Sequence, residues 1–181
     1  GGSLLTSGTA WRWDLVLAVL WIAGTSLRAA IELWRSVALH RRLGHTEPAG
    51  EDAGRDVDRI ASALGVGATI DIRTGNTASP FVCGLLRPVL VLPKDRVTGD
   101  LVLAHELAHI RRRDSWRLLV MRVLGLALWF NPFVFLIERE RRLAAEIACD
   151  RIALDTIGHG RARSYARTLL DAACANSGPQ A

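Results

Sequence analysis

Cysteine is scarce in this chain of 181 residues. The three cysteines, Cys83, Cys149 and Cys174, are odd in number, lie far apart and form no CxxC pair. This arrangement argues against a disulfide framework and against a metal site built from cysteines, and it favours buried thiols in a reducing compartment. Low-complexity runs are absent as well. A composition of 50% hydrophobic and 23% charged residues excludes a disordered chain.

A nucleic-acid-binding motif is also missing, although the formal net charge is +5 and Lys94 is the only lysine among 23 basic residues. An excess of basic over acidic residues is typical of proteins that bind nucleic acid, anionic lipid or an acidic partner. A mean hydropathy of +0.19 beside so many charges implies that the apolar residues are clustered, and long apolar clusters contact lipid. We therefore expect membrane lipid, and no nucleic acid, as a partner. Strong salt-dependent binding to duplex DNA would reverse this expectation.

The first long apolar segment covers residues 13–34 and has tryptophan at both ends. At about 1.5 Å per residue, a helix of this length crosses a bilayer core of roughly 30 Å. Arg28 and Glu32 interrupt it, and because they lie four residues apart we expect them to pair on one helix face. The alternative is an amphipathic helix that lies on a membrane or on a partner. More arginines follow the segment than precede it, which predicts that its C-terminal end faces the cytoplasm.

A second apolar block covers residues 118–137, and it is interrupted by Arg122 and by Asn131-Pro132. Three readings stay open for it. It crosses the membrane, or it enters the membrane and returns at Pro132, or it is a buried core helix. Arginines lie at both of its ends, so the distribution of positive charge predicts no orientation.

The pattern of the whole chain indicates one domain of the α+β class, mainly helical, with one or two membrane-associated helices. Alternating apolar residues with Gly and Pro between them predict a small antiparallel sheet over residues 68–93. Helical periodicity predicts helices over residues 101–113, 116–137 and 138–156. The predicted order is a flexible lead-in 1–10, a transmembrane or membrane-associated helix 11–36, a linker 37–54, the domain 55–175 and a tail 176–181.

The predicted helix 101–113 contains an HExxH motif, formed by His105, Glu106 and His109. The two histidines are separated by four residues, so both imidazoles project from one helix face and can bind a single zinc ion. Glu106 lies next to that face and can act as the general base. Zinc lowers the pKa of a bound water to about 7, which makes hydrolysis possible at neutral pH.

A catalytic zinc takes three protein ligands and keeps an open position. Glu146 follows in the apolar part of the predicted helix 138–156, where a carboxylate needs a partner, and it is the candidate third ligand. Asp150 lies one turn further on the same face and is a candidate to accept a hydrogen bond from a ligand histidine, or else to pair with an arginine. His40, His45 and His159 lie in polar or Gly-rich stretches and are predicted to be surface residues.

Four stretches of the chain resemble the membrane zinc metallopeptidase family of bacterial beta-lactam sensor-transducers and antirepressors. They are SPFVCGLLRPVLVLP, AHELAHIRRRD, WFNP and EIACD, at residues 79–93, 104–114, 129–132 and 146–150, and YARTLL follows at 165–170. Their order is that of the family. The pattern is also similar to zinc peptidases related to the CAAX-processing and heat-shock types, which share HExxH and ExxxD, but which we do not expect to carry the first stretch.

The resemblance implies that residues 55–175 are a zincin-like zinc metallopeptidase domain with one Zn²⁺, bound by His105, His109 and Glu146, and with Glu106 as the base. It implies peptide-bond hydrolysis in a bacterial inner membrane, with the zinc site on the cytoplasmic side. The protein substrate implied is a transcriptional repressor, another regulatory protein or the enzyme itself. We expect the substrate to add as a strand to the sheet edge; the candidate residues for this contact are Phe81, Val82, Cys83 and Gly84.

Family members often carry an extracellular sensor domain, and we expect that domain, or a partner that replaces it, to lie outside this chain. The chain does not begin with methionine, which is consistent with a piece of a larger membrane protein. Two other functions stay open. One is a membrane zinc protease for protein quality control, and the other is a catalytically silent signalling module in which zinc is structural.

Overall fold

A computed structural model describes residues 12–158 and Arg167. The predicted lead-in 1–10, the tail 176–181, His159 and Cys174 lie outside this part of the chain. The described part is mainly helical with one small sheet, as the composition and periodicity predict. Its elements are α1 Trp13–Gly44, β1 Glu47–Pro48, α2 Glu51–Leu64, β2 Asp71–Gly75, β3 Phe81–Cys83, β4 Val89–Pro93, α3 Asp100–Arg111, α4 Asp114–Ala127 and α5 Pro132–Ile157.

The sheet is mixed, so the prediction of an antiparallel sheet is wrong. Its strand order is β1-β2-β4-β3, and β2 pairs with β4 in parallel while the other two pairs are antiparallel. The physical reason lies in β4, where Leu90, Val91 and Leu92 are all buried. Successive residues of a strand face opposite sides of a sheet, so this strand is covered on both faces and takes a central position. As a consequence β3 lies at the edge of the sheet.

Helices α2 and α3 pack their apolar residues against the sheet and form the core. In α2 the buried residues Val57, Ile60 and Leu64 recur at helical spacing, and each stabilises the fold by about 1.5–3 kcal/mol through its burial. From α3, Leu103 and Leu107 enter the same cluster. His105 and His109 thereby lie on the face of α3 that points away from this core, whereas Leu107 of the same HExxH motif belongs to the core.

The predicted linker 37–54 is largely structured, so this boundary is wrong. Helix α1 continues eight residues beyond the predicted end at residue 36, β1 follows it, and α2 begins at Glu51. Polar residues with Pro48 and two glycines indicate a loop, but Arg, Leu and Ala in residues 37–43 are good helix formers. Strand β1 has only two residues and is too short to leave a periodic pattern.

The apolar stretch 116–137 is divided between two helices, so the prediction of one continuous helix is wrong. Helix α4 ends at Ala127 and α5 begins at Pro132. Asn131 is the N-cap of α5, since its side-chain oxygen accepts from the Phe133 amide at 3.0 Å, and Pro132 occupies the first helical turn. The Cys149 thiol lies 3.8 Å from Asp114, so the start of α4 faces the later part of α5 and the two helices form an antiparallel hairpin.

Helix α1 runs antiparallel to α4 and satisfies its last carbonyl groups. Trp21 Nε1 donates to the Ala127 carbonyl at 3.0 Å, and Thr25 Oγ1 donates to the Leu126 carbonyl at 3.4 Å. In return, Trp129 Nε1 donates to the Trp21 carbonyl at 3.3 Å. The final carbonyls of a helix have no partner within it, and an apolar environment makes an unpaired carbonyl costly. These bonds therefore fix the tip of the hairpin to the middle of α1.

The expected Arg28–Glu32 pair is replaced by contacts between α1 and the hairpin. Glu32 lies 3.2 Å from Arg35 and 3.6 Å from Arg122 of α4. The Arg28 guanidinium lies over the Phe135 ring, 5.2 Å from its centroid. Glu32 therefore pairs with Arg35 on its own helix and with Arg122 across the helix interface, and not with Arg28.

Among the described residues, α1 is the one helix that is long and apolar enough to cross a membrane. None of its residues is buried. The hairpin continues this apolar surface, because large hydrophobic side chains on both of its helices are exposed. They include Val120, Val123, Leu124, Phe130, Phe133, Phe135, Leu136 and Ile137.

We expect Gly24→Ala to weaken the packing of α1 on the hairpin. A Cβ atom at this position would lie 2.1 Å from the Trp129 ring, so the ring must move and its bond to Trp21 is lost. Overpacking of this kind costs about 1–3 kcal/mol. The measurement is thermal unfolding in detergent, followed by tryptophan fluorescence. Gly44→Ala is the matched control, since a Cβ there meets nothing within 4 Å; equal midpoints for the two variants would contradict the expectation.

Candidate active site

The two histidines of the HExxH motif project from α3 toward α5. Helix α3 begins after the extended residue Gly99, and Leu103, Ala104, Leu107 and Ala108 bury its opposite face. His105 and His109 remain partly exposed, with ring centroids 5.0 Å apart and ring planes at 76°. Both rings therefore face one space between α3, α5 and the sheet edge.

Glu146 of α5 enters that space from the other side. Its Oε2 atom lies 3.3 Å from His105 Nε2 and 4.0 Å from His109 Nε2. Ligand atoms around a tetrahedral zinc, each about 2.0–2.2 Å from the ion, are separated by roughly 3.4 Å. Two imidazole nitrogens and one carboxylate oxygen at these separations fit such an ion. The Glu146 side chain is 51% exposed, so its place beside the histidines, and not burial, makes it a candidate ligand.

Both histidines make a hydrogen bond to an aspartate through the nitrogen that faces away from Glu146. His105 Nδ1 donates to Asp150 Oδ1 at 2.8 Å, and His109 Nδ1 donates to Asp114 Oδ2 at 2.9 Å. An ionised carboxylate can only accept, so each Nδ1 carries the proton and each Nε2 presents its lone pair. This is the tautomer that a metal at Nε2 requires. The sequence pattern singles out Asp150 for such a contact, and the structure places it there.

Asp114 is the site residue that sequence reasoning missed. It lies five residues after His109, outside the spacing at which helical residues face each other, and it follows three arginines that read as a basic flank. Arg113 has a left-handed backbone with φ 56°, and this residue ends the turn after α3 and starts α4. The reversal returns Asp114 to the His109 ring. No periodic pattern in the sequence signals a left-handed arginine, which is uncommon for a residue with a side chain.

Glu106 lies beside the two histidines, against the edge strand. Burial, together with the negative charge of Glu146, raises the pKa of Glu106 to about 7, although the nearby His109 and a hydrogen bond from the Val82 backbone amide act in the opposite direction. Val82 is the middle residue of β3. The edge strand therefore lies beside the Glu106 side chain, and both line the same cleft. A carboxyl group held in this way is poised to exchange a proton near neutral pH.

A second group of potential ligands, Asp114 and Cys149 with His109, lies behind the first. The Cys149 sulfur lies 3.4 Å from His109 Nδ1 and 3.8 Å from Asp114 Oδ2. Burial, and then the negative charge of Asp114, raises the pKa of the Cys149 thiol to about 12. The sulfur is thus a protonated, fully buried thiol that donates to Asp114, whereas a sulfur ligand must be a thiolate.

Two clefts meet along the outer edge of β3. One of about 270 Å³ is lined by Phe81, Val82, Glu106 and Glu146, and one of about 200 Å³ continues it past Gly84. Of the four candidate substrate contacts, Phe81, Val82 and Gly84 therefore line this groove. The fourth, Cys83, is buried and its sulfur donates to the Val89 carbonyl at 3.8 Å.

Gly84 lies just beyond β3 and forms the turn that shapes the groove. Its φ is +89°, and a Cβ atom there would lie 2.2 Å from the Arg87 carbonyl oxygen. We expect Gly84→Ala to destabilise the protein by about 1–3 kcal/mol, because a residue with a side chain is strained in this conformation. Thermal unfolding checks this, with Gly67→Ala as the control because a Cβ there has nothing within 4 Å. A Gly84→Ala midpoint as high as the control's would show that this turn tolerates a side chain.

The sequence of the chain also matches a known protein family. The family model described as BlaR1 peptidase M56 matches residues 6–181 of the sequence. The chain belongs to this family. The family predicted from the four sequence stretches is thereby confirmed, and it is a family of peptidases.

Two curated relatives carry the same description, regulatory protein BlaR1. The protein from Bacillus licheniformis is 34% identical over 97 residues, which cover 51% of this chain and 16% of the relative. The protein from Staphylococcus aureus is 27% identical over 70 residues, which cover 39% of this chain and 12% of the relative. The chain thus matches only a small part of the length of these regulatory proteins.

Proposed function

We propose that this chain is the catalytic core of a membrane-bound zinc metalloendopeptidase with a zincin-like fold, acting in regulated proteolysis. One observation carries the proposal. The Oε2 atom of Glu146 lies 3.3 Å from His105 Nε2 and 4.0 Å from His109 Nε2, so all three atoms can bind one ion. Membership in a peptidase family supports hydrolysis of peptide bonds as the reaction.

The residues present fit one Zn²⁺, held by His105, His109 and Glu146. When bound, zinc supplies an activated water and polarises the carbonyl group of the scissile peptide. Glu106 accepts the proton of the attacking water and passes it to the leaving nitrogen, as its position beside both histidines allows. Asp150 keeps His105 in the tautomer that binds metal.

The substrate binds in an extended form along the outer edge of β3. This strand pairs with β4 on one side only, and a peptide segment can add to its free edge by main-chain hydrogen bonds. The two clefts along that edge receive the side chains on either side of the scissile bond. Phe81 and Val82 line the same cleft as Glu106, so the scissile bond is placed opposite them.

The membrane holds α1 and the tip of the hairpin, with the zinc site on the cytoplasmic side. Trp21 contacts Ala127, and Glu32 contacts Arg122, so the hairpin runs along about 11 residues of α1, or roughly 16 Å. This is about half of a bilayer core of roughly 30 Å. The hairpin therefore enters from the side of the basic C-terminal end of α1 and returns, which is the second of the three readings of this stretch.

The substrate is a transcriptional repressor or the enzyme itself. The description of both relatives as regulatory proteins supports a role in signal transduction. The signal is received by a sensor region or a partner outside this chain. From the family resemblance we expect this signal to be an antibiotic.

The test is cleavage by the zinc-loaded chain in phospholipid nanodiscs. The probes are a winged-helix repressor encoded beside its gene and the chain itself, with products identified by mass spectrometry. We expect one defined cut that a chelator blocks and added zinc restores. One bound zinc with every probe intact would indicate a silent signalling module. Cleavage of unfolded membrane proteins but not of the repressor would indicate quality control. Either result would overturn the proposal.

A further inference from the structure

We propose that Asp114 is a positioning residue for the metal site, which holds His109 in the tautomer and orientation that present Nε2 to the ion. The inference rests on the proposed function, because it takes His105, His109 and Glu146 as the ligands. It adds to that function a residue that lies outside the HExxH and third-ligand motifs.

The contact is direct and well shielded. His109 Nδ1 donates to Asp114 Oδ2 at 2.9 Å, and the Asp114 side chain is 11% exposed against 40% for Asp150. Water therefore competes less for this bond than for the bond between Asp150 and His105. Without a carboxylate at Nδ1, the His109 imidazole is free to place its proton on Nε2, and an Nε2 that carries a proton cannot bind a metal.

Asp114 is itself held from several directions. Arg117 Nη1 donates to its Oδ1 atom at 2.9 Å, and Arg112 Nε donates to Oδ2 at 3.3 Å. The buried Cys149 thiol is oriented toward Oδ2 as well. The two arginines and the thiol thus hold the Asp114 carboxylate in place, and its Oδ2 atom also accepts the bond from His109.

The two ligand histidines are therefore supported from two different helices. Asp150 reaches His105 from α5, whereas Asp114 reaches His109 from the first residue of α4. Loss of Asp114 is expected to leave His105, Glu146 and Asp150 in place. The predicted defect is a histidine that is present but no longer aligned, which weakens metal binding without unfolding the site.

The variant Asp114→Asn tests this with little change in size. An asparagine amide can rotate and donate to Nδ1, which favours the wrong tautomer. We expect zinc affinity to fall by about 10–100-fold, the effect typical of losing a partner of a ligand histidine. Zinc affinity is measured in detergent by competition with a chromophoric chelator. Asp100→Asn is the matched control, because Asp100 also pairs with an arginine, Arg59, at 3.0 Å, but lies at the far end of α3.

The tautomer of His109 separates positioning from a general structural role. If Asp114 acts through His109, then in the metal-free Asp114→Asn protein the His109 proton moves from Nδ1 to Nε2, whereas Asp100→Asn leaves it on Nδ1; nitrogen NMR of the imidazole ring reports the difference. A His109 proton that stays on Nδ1 in Asp114→Asn would overturn the inference. So would wild-type zinc affinity in Asp114→Asn. Should that variant unfold, Asp114→Glu, which keeps the charge, is expected to recover part of the affinity, and no recovery in a folded Asp114→Glu would count against the inference.

The same titration tells the two proposals apart. If the wild-type chain binds no zinc, or binds it equally well without His105 or Glu146, the proposed function fails. If the wild-type chain binds one zinc and needs those residues, but Asp114→Asn binds as tightly as Asp100→Asn, only the role of Asp114 fails.

Discussion

Glu106→Gln is expected to stop peptide-bond hydrolysis and to leave zinc content unchanged. Glutamine keeps the size of the side chain and can still accept the hydrogen bond from the Val82 amide, so the local fold is preserved. It cannot accept a proton from water, and loss of general acid–base catalysis costs about 100- to 10,000-fold in rate. Glu106 is not one of the three proposed metal ligands, so zinc affinity is expected to stay at the wild-type value.

Two measurements on the same sample check this result, namely the rate of repressor or self cleavage and the zinc content. Glu140→Gln is the control, because Glu140 is an exposed glutamate of α5. A Glu106→Gln protein that still cleaves would remove Glu106 from the reaction. One that loses zinc as well as activity would assign the residue to metal binding.

Glu146→Ala is expected to have the second large effect, which is loss of the metal itself. Removing one of three ligands leaves two histidines, and two imidazoles do not complete a catalytic zinc site. The loss of affinity is expected to exceed the roughly 10- to 100-fold effect of a residue that only supports a ligand. Cleavage then disappears together with zinc.

Zinc content and affinity of Glu146→Ala, compared with Glu140→Ala on the same helix, provide the check. Because the Glu146 side chain is 51% exposed, its truncation leaves no buried cavity, and we expect the thermal midpoint of the metal-free protein to stay close to that of the control. Unchanged zinc occupancy would exclude Glu146 from the ligand set.

The candidate metal ligands are predictable from the sequence because their geometry is local. His105 and His109 share a face of one helix by their spacing alone, and Glu146 and Asp150 share a face of another. What the spacing does not specify is that the two helices meet. The convergence of Glu146 with the two histidines comes from packing of α3 against α5, which the structure supplies.

The features that sequence reasoning missed depend on contacts that are distant or irregular. Asp114 reaches His109 only because Arg113 adopts a left-handed conformation. The position of β4 in the middle of the sheet is decided by burial on both faces, although its continuous apolar run is a signal of such a strand. The Asn131-Pro132 pair is a helix-start signal. Because it lies inside a long apolar block, the pattern predicts a break within one apolar helix and not the start of a second helix.

The central claim is that one zinc ion binds to the Nε2 atoms of His105 and His109 and to Glu146. Zinc-edge X-ray absorption of the zinc-loaded chain tests it most directly, because sulfur and lighter ligands scatter differently. We expect nitrogen and oxygen ligands at about 2.0–2.2 Å, with the outer-shell pattern of two imidazoles and no sulfur. A sulfur ligand at about 2.3 Å would place the ion at Cys149 instead and would exclude the ligand set of His105, His109 and Glu146.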